Sequence, residues 1–349
     1  NHDSIDDCNV CTSGQWSGSC ATVCTGCAAG TFITDNGDKK HHHDAISDCQ
    51  VCKKGQWSDV GSQTCTKCVA GKFLFELGIE SVGHNSIDKC VICPAGKWAL
   101  EDADKCEVCP AGMYLDDDGA SASNHVSISS CKVCAKGKWA LEGTKLCHNC
   151  DAGRYLADDA SDASKHDEHN DCQVCSSGMH AEGVSNHECT NCEAGRYLID
   201  HAQNETLHDV SSIDCIICSA GQHSESGATE CIACASGKYL TDDGENADAH
   251  DAISDCTICA VGQWSSISAA VCVDCAAGRY IGDAGADASK HDSILDCTIC
   301  ASGQYSHKGS AACINCDAGK YIVDDGNDVT KHNKIEDCKV CRYGQHSAQ

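Results

Sequence analysis

Cysteines arrive in C-x2-C hooks, and the hooks come in pairs. The spacing C-x2-C-x12-C-x2-C occurs eight times, one copy carrying an extra residue in its middle. Two chemistries use such hooks. Four thiolates can surround Zn2+ tetrahedrally, or four thiols can be oxidised to two disulfides, for which three connectivities exist and the sequence alone does not choose. A histidine recurs near the end of every long spacer, at His2, His43, His84, His125, His166, His208, His250, His291 and His332, usually followed by Asp or Asn. It reads as a ring hydrogen-bonded at the hinge between repeats, with metal ligation as the alternative. Just upstream, acidic runs hold Asp116, Asp118, Asp242, Asp243, Asp324 and Asp325. These offer oxygen ligands suited to Ca2+, without the residue order of an EF-hand; the alternative is a solvated acidic loop with Asx turns. Calcium is the one cofactor they suggest.

What must position these groups is a repeat. The leading cysteines, Cys8, Cys49, Cys90, Cys131, Cys172, Cys215, Cys256, Cys297 and Cys338, step by 41 residues, with one step of 43. The units are therefore 8–48, 49–89, 90–130, 131–171, 172–214, 215–255, 256–296 and 297–337, with 1–7 as the tail of a preceding unit and 338–349 as part of a ninth. Within each, both halves follow C-x2-C-x2-G-x-aromatic. All five tryptophans fall in the first aromatic slot, at Trp16, Trp57, Trp98, Trp139 and Trp264. The slot predicts a ring stacked on a disulfide or on the next repeat. The glycines three residues after each second and fourth cysteine suit turns with positive φ. An Asp or Asn in the H-D-x-I-x-D-C stretch can cap one helical turn. The fold class expected is a small disulfide-rich repeat stacked into an elongated rod or solenoid of about eight modules, with sparse short β-strands. The long acidic spacers are expected on a common face.

Composition agrees. With 35 Cys and 32 Gly but only three Phe and two Met among 349 residues, no large core is available, and units this poor in apolar groups need covalent staples or metal. The formal charge of −27 opposes nucleic acid and anionic membrane as partners. No apolar run reaches a membrane span's length, and no signal peptide is visible, as in a processed chain or an excerpt. Two prolines exclude polyproline and collagen architectures. Ser, His and Asp recur with the period, and no unique acid, base or nucleophile breaks it, so the chain is expected not to be an enzyme. Asn204-Glu205-Thr206 is the one N-x-S/T sequon and makes Asn204 the expected glycosylation site.

The motif C-x2-C-x2-G-[KR]-[YF], as in Cys234-Ala235-Ser236-Gly237-Lys238-Tyr239, resembles the cysteine-rich modules of tumour-necrosis-factor receptors and the ephrin-receptor-like repeats. Uninterrupted arrays of one repeat also resemble surface antigens of ciliates and flagellar-hair proteins of protists and algae. The resemblance implies stacked modules with first-to-third and second-to-fourth pairing. Those pairs would be Cys8 with Cys24 and Cys11 with Cys27, Cys49 with Cys65 and Cys52 with Cys68, Cys90 with Cys106 and Cys93 with Cys109, and Cys131 with Cys147 and Cys134 with Cys150. They continue as Cys172 with Cys189 and Cys175 with Cys192, Cys215 with Cys231 and Cys218 with Cys234, Cys256 with Cys272 and Cys259 with Cys275, and Cys297 with Cys313 and Cys300 with Cys316. Cys20, Cys338 and Cys341 are left over, unpaired or available between chains. The function expected is an extracellular structural protein, a glycosylated filament or flagellar-hair-like subunit self-associating head to tail. The ectodomain of a receptor or surface antigen is the alternative, and a zinc-binding cysteine array the third.

Overall fold

The computed structural model describes residues 8–76 and 78–347; His2 and the segment 1–7 lie outside them. The chain falls into two compact units, Asn1–Cys150 with Leu156–Gln173, and Asp151–Tyr155 with Val174–Gln349. Both are built from one module, which the stretch after Cys90 illustrates. Strand Lys97–Trp98 pairs antiparallel with Glu107–Val108. Strand Met113–Tyr114 pairs antiparallel with Lys132–Val133, which belongs to the next repeat. Between them the long spacer makes two single turns of 3-10 helix, Ala122–Asn124 and Ile128–Ser130. Strands of two residues are too short to hold themselves, so they need covalent closure beside them.

That closure sets the sulfur connectivity. The first ribbon brings together the cysteines that flank it, giving Cys11–Cys24, Cys52–Cys65, Cys93–Cys106, Cys134–Cys147, Cys175–Cys189, Cys218–Cys231, Cys259–Cys272 and Cys300–Cys313. The second ribbon crosses the repeat boundary and gives Cys27–Cys49, Cys68–Cys90, Cys109–Cys131, Cys150–Cys172, Cys192–Cys215, Cys234–Cys256, Cys275–Cys297 and Cys316–Cys338. This corrects the pairing the resemblance implied. Every hook from Cys24–Cys27 to Cys313–Cys316 is split, its first cysteine reaching back and its second forward, so none of the first-to-third or second-to-fourth bonds forms. Cys338 is not left over but bonded to Cys316, and Cys8 takes the place of an unpaired thiol beside Cys20 and Cys341. The stretched copy keeps the pattern with separations of 14 and 23 residues where the others have 13 and 22. The bonded sulfurs are closed to zinc, which needs thiolates.

The boundary-crossing disulfide is also the core. Cys109, Leu115 and Cys131 form one buried cluster with Trp98 and Met113 against it, and Cys150, Leu156 and Cys172 form the next with Trp139. Trp57 and Trp264 sit likewise on Cys68–Leu74–Cys90 and Cys275–Ile281–Cys297. Four of the five tryptophans thus pack on a disulfide, as their sequence position predicts. His180 and His223 fill the same slot, buried, in two modules without tryptophan.

Modules meet backbone to backbone. Gly112 donates to the Ala140 carbonyl at 2.7 Å and accepts from Cys134 N at 2.9 Å, both in the following module. It has φ +79°, and a Cβ there would lie 1.9 Å from the Ala163 carbonyl oxygen. The contact requires glycine twice over, for its left-handed backbone and for the missing side chain.

Candidate functional site

The feature repeated most faithfully is a buried histidine cell. His125 closes the 3-10 turn Ala122–Asn124 and points inward, fully buried. Its Nδ1 donates to the Lys97 carbonyl at 2.7 Å, while its own carbonyl accepts from Ala99 N at 2.9 Å. Side chain and main chain together therefore fasten the long spacer to the module's first strand. On the far side of the ring, Nε2 lies 2.9 Å from Asp117 Oδ1. The same oxygen accepts from Gly119 N and Ala120 N, and Asn124 Nδ2 donates to Oδ2.

Seven other described modules build this cell. Nδ1 of His43, His84, His166, His208, His250, His291 and His332 lies 2.7 Å from the carbonyls of Gln15, Gln56, Lys138, Met179, Gln222, Gln263 and Gln304. Nε2 meets Asp35, Asp158, Asp200, Asp242, Asp283 and Asp324 at 2.9–3.2 Å in all but one of these. The exception is His84. Glu76 stands where the others have aspartate, its longer side chain packs over Gly83, and His84 Nε2 is buried without a hydrogen-bond partner among the described residues.

The histidines are hydrogen-bonded structural rings, as their regularity suggests, but their partners lie in the same repeat, so they fasten the spacer to its own module and not the hinge between repeats. Their carboxylate partners were not singled out, although a fixed signal exists: an aspartate eight residues before the histidine in seven repeats. Of the six calcium candidates, Asp242 and Asp324 spend an oxygen on His250 and His332. Asp116 and Asp118 face Lys132 and Lys145 instead, and Asp325 accepts from Asn327. In the third module the inward carboxylate is Asp117, between the two candidates. Among the described residues no group of three or more His, Cys, Asp or Glu is placed to hold a metal ion.

Electrostatics follow the geometry. The His43 bond, ahead of the backbone N–H groups of Lys39 and Gly37, outweighs desolvation and holds the Asp35 pKa down at about 2. Burial resists the charged form of Asp158, but His166 and Lys165 outweigh it and bring the value to about 2. Asn124 and then His125 lower that of Asp117. Burial pushes His43 toward its neutral form, yet the Gln15 carbonyl and the Asp35 carboxylate prevail and raise its pKa. The signs define a window. Stability from Asp35 is complete above its ordinary value of 3.8 and is lost as pH falls through about 2. That from His43 is complete below its ordinary 6.5 and is lost as pH rises through its higher folded value. Protection of the Ser17 amide, which donates to the His43 carbonyl, is therefore expected to be greatest between these limits and to fall on both sides, as hydrogen exchange corrected for intrinsic pH dependence would show.

The sequon also has a place in the fold. Asn204 is exposed and caps the turn Glu205–Leu207, its Oδ1 accepting from Thr206 N and Oγ1. Asp162, Asp287 and Asp328 make the same pair of bonds to Ser164, Ser289 and Thr330. The N-x-T pattern is thus one variant of a recurring cap, and it leaves the Asn204 amide nitrogen unused by the cap.

The protein is a cysteine-rich repeat array. No known protein family and no curated protein matches the chain. Sixteen disulfides fit an extracellular or secreted protein. Among the described residues no helix is long and apolar enough to cross a membrane. The tumour-necrosis-factor-receptor likeness keeps its hook-and-glycine motif but not its disulfide pairing.

Proposed function

We propose that the protein is an extracellular structural protein, the glycosylated subunit of a disulfide-stapled filament, and not an enzyme. The observation that supports this is the joint. Within each compact unit, a module offers the next the same face, made of a boundary-crossing ribbon, a buried disulfide and a glycine seat, and receives a different face in return. A contact of that head-to-tail kind continues indefinitely unless its rotation closes a ring.

The surroundings of Cys20 support such an assembly. Exposed and outside any disulfide, it occupies a left-handed corner with φ +63°. The equivalent corner in later modules is Gly61, Asp102 or Gly143, whose N–H donates to Cys27, Cys68 or Cys109 of the module before. Cys20 therefore sits on the face by which a module meets its predecessor. Native material is expected to show filaments by electron microscopy and covalent multimers on non-reducing electrophoresis, with the multimers lost in Cys20→Ser and a glycan mass lost in Asn204→Gln. Discrete monomers carrying a free Cys20 thiol would remove the proposal. An unchanged mass in Asn204→Gln would remove the glycan alone.

A further inference from the structure

The repeated histidine cell has a proton count that its geometry fixes. A main-chain carbonyl only accepts hydrogen bonds, so Nδ1 of each ring carries a proton. On the other side the carboxylate oxygen nearest Nε2 is already ringed by donors. Asp35 Oδ1 accepts from Gly37 N and Asp38 N, Asp242 Oδ1 from Gly244 N and Glu245 N, and Asp283 Oδ2 from Ala286 N and Asp287 N. An oxygen in that setting is an acceptor, not the hydroxyl of a carboxylic acid. A neutral ring would then aim the Nε2 lone pair at an anionic oxygen about 3 Å away, inside a site with the ring at most 2 % exposed and closed to a bridging water.

We propose that seven of the long spacers are locked by a bound proton. His43, His125, His166, His208, His250, His291 and His332 are imidazolium rings paired with their aspartates at neutral pH, each taking up its second proton as the spacer docks. The formal charge of −27, which counts histidine as neutral, is reduced by seven in the folded state. The charged neighbours of the cells differ. His43 faces Asp35 with His42 beside that carboxylate, and Asp48 adds a second negative charge. His125 faces Asp117, which also holds the neutral Asn124, while the adjoining Asp116 and Asp118 face Lys132 and Lys145. His208 and His250 face Asp200 and Asp242. At His166, His291 and His332 the same aspartate is shared with Lys165, Lys290 or Lys331, at 3.3–3.8 Å.

Module two supplies a built-in reference, because His84 Nε2 meets no acceptor among the described residues. In the full chain, nitrogen-detected NMR of the imidazoles at pH 7 is expected to show seven of these eight rings protonated on both nitrogens and His84 on one. Glu76→Asp is expected to raise the count to eight. Refolding of the disulfide-intact chain in unbuffered solution at pH 7 is expected to take up roughly five protons, since free histidines near pKa ~6.5 are already about a quarter protonated. Rings bearing a single proton, together with no proton uptake, would overturn the proposal. A Glu76→Asp chain that folds but still shows seven would overturn the role given to aspartate.

Discussion

Gly112→Ala is expected to open the joint between the third module and its successor at a cost above about 3 kcal/mol. Left-handed backbone alone costs an alanine roughly 1–2 kcal/mol. At Gly112 the new methyl would also stand 1.9 Å from the Ala163 carbonyl oxygen, a separation at which the backbone itself must move. Moving it breaks the bonds Gly112 shares with Ala140 and Cys134, adding buried unpaired groups to the strain. Gly183 is the control: its φ is +71° and nothing lies within 4 Å of its would-be Cβ. Gly183→Ala is therefore expected to cost only the backbone term. Hydrogen exchange at Cys134 and Gly112 measures the difference module by module, which a single melting temperature for a repeat array does not. Equal effects at the two positions would show that the joint is not closely packed.

Full reduction is expected to abolish the structure without denaturant. Each bond closes a loop of 13–14 or 22–23 residues, worth about 3 kcal/mol in the chain-entropy model. A module's remaining core is a leucine or isoleucine and an aromatic ring, which does not offset the entropy of 41 residues. Loss is expected in order. Cys106 and Cys147 are partly exposed, whereas Cys109, Cys131, Cys150 and Cys172 are buried, so a mild thiol should open Cys93–Cys106 and Cys134–Cys147 before the bonds that cross repeat boundaries. Alkylation and peptide mapping at partial reduction test both the order and the pairing. A peptide linking Cys90 to Cys106 would contradict the structure, and one linking Cys109 to Cys131 is the expected product.

The period, the glycine turns and the tryptophan slot were legible because each recurs at one position and has one physical use. Connectivity was not, since the paired hooks Cys8–Cys11 and Cys24–Cys27 look like a closed set while the bonds run half a repeat out of phase with it. Only the ribbon between Thr31–Phe32 and Gln50–Val51 shows that Cys27 belongs with Cys49, and two-residue strands carry no alternation to announce themselves. The histidine's structural role could be read from its regularity. Its partner was obscured by acidic runs, because Asp116, Asp117 and Asp118 are chemically alike and only the turn decides which one faces inward.

The phase of the disulfides also determines how the chain responds to tension. The bonds follow one another without overlap, so a pull on the two ends travels through sulfur and the short hooks, each of which is one strand of a ribbon, leaving the partner strands and the spacers off the load path. Per repeat that path is two hooks of three Cα steps and two bridges of about 5.8 Å between α-carbons, roughly 33 Å fully drawn out, against roughly 145 Å for the same 41 residues reduced. More than three quarters of the contour length is covalently withheld. Within the bonded region, a strand of this protein stretched to its limit behaves as a nearly inextensible tape, and a reducing agent converts it into a slack one more than four times as long.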